Sequence, residues 1–169
     1  MKLISRSTWL YGIFIIISAS FLQQILFFFN KSIGTKTVQN IFYTICFIAA
    51  ISILSYLLKQ KLKVKNYLII ICLFLCSFLL MHLQPFFAEK THIILYGVLG
   101  YLAKHDLQKT FLKQWTSFFI SLSFCLLIST GDELFQVILP YRVGELFDMF
   151  TNVFSSIMGI SLFIAIHEK

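Results

Sequence analysis

Long apolar stretches alternate with short polar stretches along the whole chain. The apolar runs cover residues 9–29, 38–58, 66–83, 91–103, 115–130 and 147–166. A run of about 20 apolar residues has the length of a helix that crosses the hydrocarbon core of a bilayer. The run at 91–103 reaches this length only if its helix starts near Pro85 and includes Glu89 and Lys90. The pattern predicts an all-α bundle of about six transmembrane helices, with residues 1–169 as one transmembrane domain.

Composition excludes a soluble globular domain. Hydrophobic residues make up 59% of the chain, charged residues only 12%, and the mean hydropathy is +0.86; soluble domains carry about 25% charged residues. The net charge of +7 does not indicate nucleic-acid binding, because the lysines stand between apolar runs, where they orient helices and contact anionic lipids. The predicted partners are membrane lipids. The cysteines and histidines show no metal-ligand spacing, and no cofactor or metal is predicted.

The distribution of lysine and arginine predicts the orientation. With a cytoplasmic N-terminus and six crossings, most basic residues fall on the cytoplasmic side, including the four lysines at 59–65. If the run at 91–103 did not cross, Lys104, Lys109 and Lys113 would move outside and the bias would vanish. We therefore predict that this run crosses as a short or tilted helix, and that both termini are cytoplasmic.

Acidic and other polar residues gather at the predicted outer ends of the last three helices. In chain order they are Glu89, His92, Tyr96, Asp132, Glu133, Gln136, Arg142, Asp148 and Asn152. Spacings of four place His92 with Tyr96, Asp132 with Gln136, and Asp148 with Asn152 on shared helix faces. Because charged groups at the hydrocarbon boundary are costly against lipid, we expect these side chains to face one another or a water-filled cavity.

Two motifs within residues 85–160 resemble the VanZ-like family. The first is Glu-Lys-Thr-His-x-x-x-Tyr at 89–96, and the second is Gly-Asp-Glu-x-x-Gln-x-x-x-Pro-x-Arg-x-Gly-x-x-x-Asp-x-x-x-Asn at 131–152. The chain departs from the family pattern at Tyr141 and Ser155, where the family usually has glycine. The resemblance implies a multi-pass protein of the bacterial cytoplasmic membrane, part of the cell envelope, with low-level resistance to glycopeptides such as teicoplanin as one phenotype.

The polar residues leave several functions open. In a purely structural interpretation, an Arg142–carboxylate network locks the fifth and sixth helices together. In the leading interpretation, the residues bind an anionic lipid head group, an envelope precursor or a lipoglycopeptide at the outer leaflet. The alternative is an enzyme for a lipid-linked phosphate or carboxylate, with His92 and a carboxylate (Glu133 or Asp148) as acid and base and Arg142 as clamp.

Two further interpretations concern single residues and transport. Lys90 and Tyr96 fit interfacial anchors better than catalytic groups. An ion- or proton-coupled transporter ranks last, because it predicts polar residues at the bilayer midplane and these lie near one surface.

Overall fold

The described part of the chain folds into six helices. The computed structural model describes residues 3–84, 87–111, 113–139 and 146–167, and the described part contains no strand. The helices are α1 (Arg6–Ile33), α2 (Thr35–Leu58), α3 (Val64–Leu83), α4 (Phe87–Thr110), α5 (Gln114–Ile138) and α6 (Leu146–His167). Each apolar run lies within one helix, so the prediction of an all-α fold is confirmed.

Several helices have the length and composition of membrane spans. Helices α2, α3, α5 and α6 are each long and apolar enough to cross a bilayer. Helix α1 adds a fifth span if its two halves, which meet at 56°, are counted together. Helix α4 has 24 residues, or about 36 Å at 1.5 Å per residue, but polar side chains at both its ends make it less apolar. Helix α4 is therefore not short. The count of six membrane crossings stays a prediction.

A single glycine separates α1 from α2. Gly34 has φ +85°, and its N–H donates to the carbonyl of Asn30 at 3.1 Å. A residue with a Cβ is strained in this left-handed region, so glycine is the natural residue for ending α1. At its other end α1 is capped by Ser5, whose hydroxyl accepts from the Thr8 N–H at 3.2 Å.

Helices α4 and α6 pack with their backbones in contact. A Cβ at Gly100 would collide with the carbonyl of Ser156, and a Cβ at Gly159 would collide with the carbonyl of Gly97. Small residues allow such close crossings in membrane bundles. Ser155, one of the departures from the family pattern, is buried here and donates to the carbonyl of Thr151 at 2.7 Å. The crossing therefore accommodates serine at this position.

Helices that follow one another in the chain run in opposite directions, so the bundle has two distinct ends. At one end, here called the Lys104 end, the start of α1 contacts the last turns of α4: the Ser5 N–H and the Thr8 hydroxyl donate to Asp106 at 2.9 and 2.8 Å. The end of α6 lies there too, because His167 packs against Tyr101 with ring centroids 6.4 Å apart. The opposite end is called the His92 end.

Asp106 lies beyond the apolar stretch of α4. Burial by itself would raise the pKa of Asp106, but hydrogen bonds from Ser5, Thr8 and His105 outweigh it and hold the pKa below its ordinary value. A carboxylate at the N-terminus of α1 also interacts favourably with the helix dipole. Asp106 therefore ties α1 to α4.

Lys104 lies within helix α4 and not in the loop that follows it. Helix α4 continues to Thr110, and the Lys104 side chain is fully buried between α4 and α5. Its ammonium donates to Gln108 Oε1 at 2.7 Å, to the Gln114 carbonyl at 3.0 Å, and to the Ser117 hydroxyl. An ammonium has three N–H donors, and three acceptors meet them here.

Candidate functional site

Two helices bring the central residues of the predicted cluster together at the His92 end. Asp132 of α5 is fully buried, and its Oδ2 accepts a hydrogen bond from the Tyr96 hydroxyl of α4 at 3.0 Å. The same oxygen lies 3.6 Å from His92 Nδ1, one turn earlier on α4. The spacing of four predicted that His92 and Tyr96 share a face, and that face points at α5. The three side chains form an acid–base cluster inside the bundle.

Tyr96 is not an interfacial anchor, so that interpretation was wrong. Its side chain is fully buried, and its hydroxyl is held by Asp132. A buried tyrosine normally finds a partner for its hydroxyl, and the partner here is a carboxylate on another helix. Hydropathy could not identify this arrangement, because tyrosine suits both a membrane surface and a buried hydrogen bond.

Asn152 extends the cluster from α5 to α6. Its Nδ2 donates to the Ser129 hydroxyl at 3.2 Å, and both side chains are fully buried. Ser129 was not among the predicted site residues. Its position seven before Gln136 and three before Asp132 is the signal that could have identified it, because these spacings share a helix face.

On α5 and α6, two buried amide atoms have no hydrogen-bond partner within the described residues. They are Asn152 Oδ1 and Gln136 Nε2. The parent side chains are only 0% and 1% exposed, so the membrane surface does not supply partners either. Most buried polar side-chain atoms are hydrogen-bonded, and an exception calls for an explanation.

Glu133 and Asp148 complete the acidic character of the His92 end. Glu133 is 6% exposed and Asp148 is 9% exposed. Asp148 stands in the first turn of α6, where the helix dipole favours a carboxylate. With Asp132, this gives three buried carboxylates on two adjacent helices, which is unusual because buried carboxylates are rare in proteins.

Glu89 and Lys90 lie in the first turn of α4 but differ in their burial and contacts. Glu89 is half-buried in the first turn of the helix. Lys90 is buried and points to α2, where its ammonium donates to the Tyr43 hydroxyl at 2.9 Å and lies 5.5 Å from the centre of that ring. Lys90 is thus turned away from the His92–Asp132 contact. Tyr43 lies in the half of the chain without motifs, and no sequence signal marked it.

A second pair at this end joins α3 to α6. Gln84 Nε2 donates to the Thr151 hydroxyl at 2.8 Å, and both side chains are buried. Neither residue was predicted. Thr151 is next to Asn152 in the chain, but consecutive side chains of a helix point about 100° apart. The two residues therefore contact different helices.

The remaining predicted site residue, Arg142, lies outside the described residues, as do Pro85, Pro140 and Tyr141. Its role as a clamp stays a prediction. Within the described residues, no group of three or more His, Cys, Asp or Glu side chains is placed to hold a metal ion.

An apolar cavity of about 180 Å³ lies between α1 and α4, close to the cluster. Its lining residues are Phe14, Ser18, Phe21, Leu22, Thr91, Ile94 and Leu95. Thr91 and Leu95 flank His92 and Tyr96 along α4, but none of the three cluster side chains lines the cavity. A hydrocarbon chain would match its apolar surface.

The chain has no match among protein-family models and no significant match among curated proteins or solved structures. The resemblance to the VanZ-like family therefore stays a prediction based on its two motifs.

Proposed function

We propose that the chain is a six-span, VanZ-like protein of the bacterial cytoplasmic membrane whose His92 end binds the head group of a membrane amphiphile at the outer leaflet. The proposal takes its orientation from the lysine and arginine bias, which puts the His92 end outside. Helices long and apolar enough to cross a bilayer support a membrane location.

The observation that carries the proposal is the pair of unmatched amide atoms. A structural network accounts for the contacts of Asp132 with Tyr96 and of Asn152 with Ser129. It does not account for Asn152 Oδ1 and Gln136 Nε2, because each buried atom without a partner costs about 1–3 kcal/mol. A ligand with one acceptor and one donor would remove that cost.

The chemistry of these two atoms favours an anionic, hydroxyl-bearing head group. Gln136 Nε2 would donate to a phosphate or carboxylate oxygen, and Asn152 Oδ1 would accept from a ligand hydroxyl or amine. Arg142 would add a positive charge to a site that also holds three buried carboxyl side chains. Anionic lipids, lipid-linked envelope precursors and lipoglycopeptides share this chemistry. Binding a glycopeptide or its precursor target would produce low-level teicoplanin resistance.

The test is native mass spectrometry of the detergent-solubilised protein with phosphatidylglycerol and, separately, with teicoplanin. We expect Gln136→Leu and Asn152→Leu each to raise the dissociation constant about tenfold, the loss of about 1.4 kcal/mol, at nearly constant side-chain volume. Leu134→Ala, on the exposed face of α5, is the matched control and should bind normally. The proposal is wrong if both polar-site variants bind like the wild type, or if phosphatidylcholine binds as well as either probe.

A second candidate, an enzyme for a lipid-linked phosphate or carboxylate, is favoured by the contact between His92 Nδ1 and Asp132 at 3.6 Å. A carboxylate that orients an imidazole is the arrangement of a general base. Hydrolysis of lipid phosphates by purified protein that is lost in His92→Gln and Glu133→Gln, with binding retained, would establish the enzyme. Binding without turnover would leave the first proposal standing.

A further inference from the structure

We propose that Lys90 and Tyr43 form a binding site for the phosphate group of an anionic phospholipid, on the flank of the bundle where α2 meets α4. The site goes beyond the proposed function, because it uses neither Gln136 nor Asn152 and does not depend on what those residues bind. Lys90 lies two residues before His92, so the two side chains point about 160° apart around α4. The contacts of His92 therefore do not account for the position of Lys90.

The Lys90 ammonium has fewer hydrogen-bond partners than it has donors. It donates to the Tyr43 hydroxyl at 2.9 Å, and the described residues offer it no second acceptor. An ammonium has three N–H donors, so two are left for a ligand. Lys90 is only 8% exposed, so its side chain has lost most of the hydration that a surface lysine keeps.

No counter-charge accompanies this ammonium in the described part of the chain. None of the carboxylates there lies within ion-pair distance of Lys90 Nζ. Glu89 is the adjacent residue, but its side chain points about 100° away around the helix. The Tyr43 ring, with its centre 5.5 Å from the ammonium, adds a cation–π attraction. That attraction offsets only part of the cost of taking a charge out of water, and an anion would offset the remainder.

The Tyr43 hydroxyl is a second donor at the same place. It accepts from Lys90, so its own O–H remains available, and it donates to no other described residue. The two donor atoms are 2.9 Å apart, so one phosphate group, which has several acceptor oxygens, can bind both. Lysine binds phosphate as a point charge, and such charge-assisted hydrogen bonds are short and strong. A purely structural tie between α2 and α4 would leave the Tyr43 O–H and two ammonium N–H groups unused.

Both side chains lie near the His92 end of the bundle, where lipid head groups are expected. Helix α4 begins at this end, and Lys90 lies in its first turn. Helix α2 begins there too, and Tyr43 is about two turns into it. Because Cα–Cβ bonds tilt toward the start of a helix, both side chains lean toward the membrane surface at this end. The phosphate of a lipid in that leaflet would reach them.

The surface around Tyr43 is apolar, which favours a phospholipid over free phosphate. Phe47, one turn deeper on the same face of α2, is exposed. Phe78 of α3 is exposed as well, and its ring centroid lies 6.4 Å from that of Tyr43. The bundle covers little of α2, whose buried residues are Val38 and Leu57. A phospholipid would place its phosphate on Lys90 and Tyr43 and its acyl chains along the two phenylalanines.

The test measures lipid selectivity at this site with a tryptophan reporter. Phe78→Trp, in a background of Trp9→Phe and Trp115→Phe, places the single tryptophan beside Tyr43. Brominated lipids quench its fluorescence when they occupy the site. In bilayers of phosphatidylglycerol and phosphatidylcholine, with one or the other brominated, we expect about a fivefold preference for phosphatidylglycerol, the attraction of one lysine to an anionic lipid. The choline of phosphatidylcholine offsets its phosphate charge, which is why it binds less well.

Three variants of the reporter protein separate the site from the general surface charge. Lys90→Met removes the ammonium at nearly constant length and should abolish the preference. Tyr43→Phe keeps the ring, is a smaller change if Lys90→Met does not fold, and should lower the preference about twofold, the lower limit for one hydrogen bond. Lys36→Met is the matched control, because Lys36 lies at the same end of α2 but is exposed, and it should keep the preference. Size exclusion and circular dichroism confirm that each variant is folded.

Equal quenching by the two lipids in the reporter protein would overturn the proposal. So would an unchanged preference in folded Lys90→Met or Tyr43→Phe, or an equal loss in Lys36→Met. A preference abolished by inorganic phosphate, but not by chloride at the same ionic strength, would indicate a site for free phosphate and overturn the assignment to a lipid. Gln136→Leu should leave the preference intact, so a failure here is distinguished from a failure of the head-group site.

Discussion

At the scale of single residues, the His92 end depends on how a few buried polar atoms are matched. Asp132 has no exposed surface, and the Tyr96 hydroxyl supplies one of its hydrogen bonds. A hydrogen bond to a charged group is stronger than one between neutral groups, so its loss is costly in a buried site. Pairs of this kind fix the orientation of α4 relative to α5.

Replacing Tyr96 with phenylalanine tests this dependence. Tyr96→Phe removes the hydroxyl and leaves a buried carboxylate oxygen short of a donor, which should lower the free energy of unfolding by about 1–3 kcal/mol. Thermal unfolding in detergent measures the change. Tyr101→Phe is the matched control, because its hydroxyl donates no hydrogen bond within the described residues, and it should change stability by less than about 0.5 kcal/mol. Equal effects of the two substitutions would contradict the prediction.

The lowered pKa of Asp106 implies that the stability of the Lys104 end depends on pH. Its folded-state pKa lies below its ordinary value of 3.8, so its contribution to stability is present above that value and is lost as the pH falls through the lower one. Acidification below pH 4 should therefore loosen the start of α1, reported by Trp9 fluorescence in a Trp115→Phe background. Asp106→Asn should remove this transition. A transition that persists in Asp106→Asn would assign it to another group.

At the scale of helices, the crossing of α4 and α6 sets the geometry of the site. Its two close backbone approaches hold His92 and Tyr96 of α4 at a fixed height relative to Asn152 of α6. Because backbone atoms cannot rotate away as side chains can, any added volume must separate the helices.

Alanine substitutions distinguish the tight positions from an open one. Gly100→Ala and Gly159→Ala place a Cβ against a carbonyl and should each cost about 1–3 kcal/mol of stability. At Gly97 an added Cβ would lie 3.8 Å from the Ser155 carbonyl, an ordinary contact. Gly97→Ala should therefore be neutral or stabilising by up to about 1 kcal/mol through helix propensity. Thermal unfolding of the three variants measures the difference, and three equal losses would refute the account.

The helices were largely predictable and their contacts were not. Apolar runs located the six helices of the described residues, because length and hydropathy are local properties of the chain. Helix α4 looked short in the sequence, because a hydropathy scale counts Lys90 and Lys104 as polar. In the structure, both ammonium groups donate hydrogen bonds to other helices. Spacing predicted that His92 faces inward, but the partners Ser129, Gln84 and Tyr43 depend on packing between distant segments.

At the scale of the whole molecule, buried polar groups lie at both ends of the bundle. Helices α4, α5 and α6 bury most of them, while α1, α2 and α3 present many exposed apolar side chains. Such a surface suits a hydrocarbon environment. The antiparallel order of the helices explains how motifs separated by about 40 residues meet at one end.

Accessibility labelling tests the orientation of this bundle. In a background without the four native cysteines, Ser32→Cys at the His92 end should react with a membrane-impermeant maleimide on intact cells. Ser7→Cys at the Lys104 end should react only after permeabilisation. Both serines are exposed and neutral, so neither change disturbs the charge bias. The reverse pattern would put the His92 end in the cytoplasm and contradict the proposed outer-leaflet site.

The central position of α4 has a consequence for how the protein is made. Helix α4 is too polar at its ends to be favoured in lipid alone, and its most extensive contacts are with α6, which leaves the ribosome after it. During synthesis, α4 must therefore wait at the insertion machinery until its partners arrive. Truncated chains that end before α6 would lack the main packing partner of α4. We expect them to become substrates for membrane quality-control proteases.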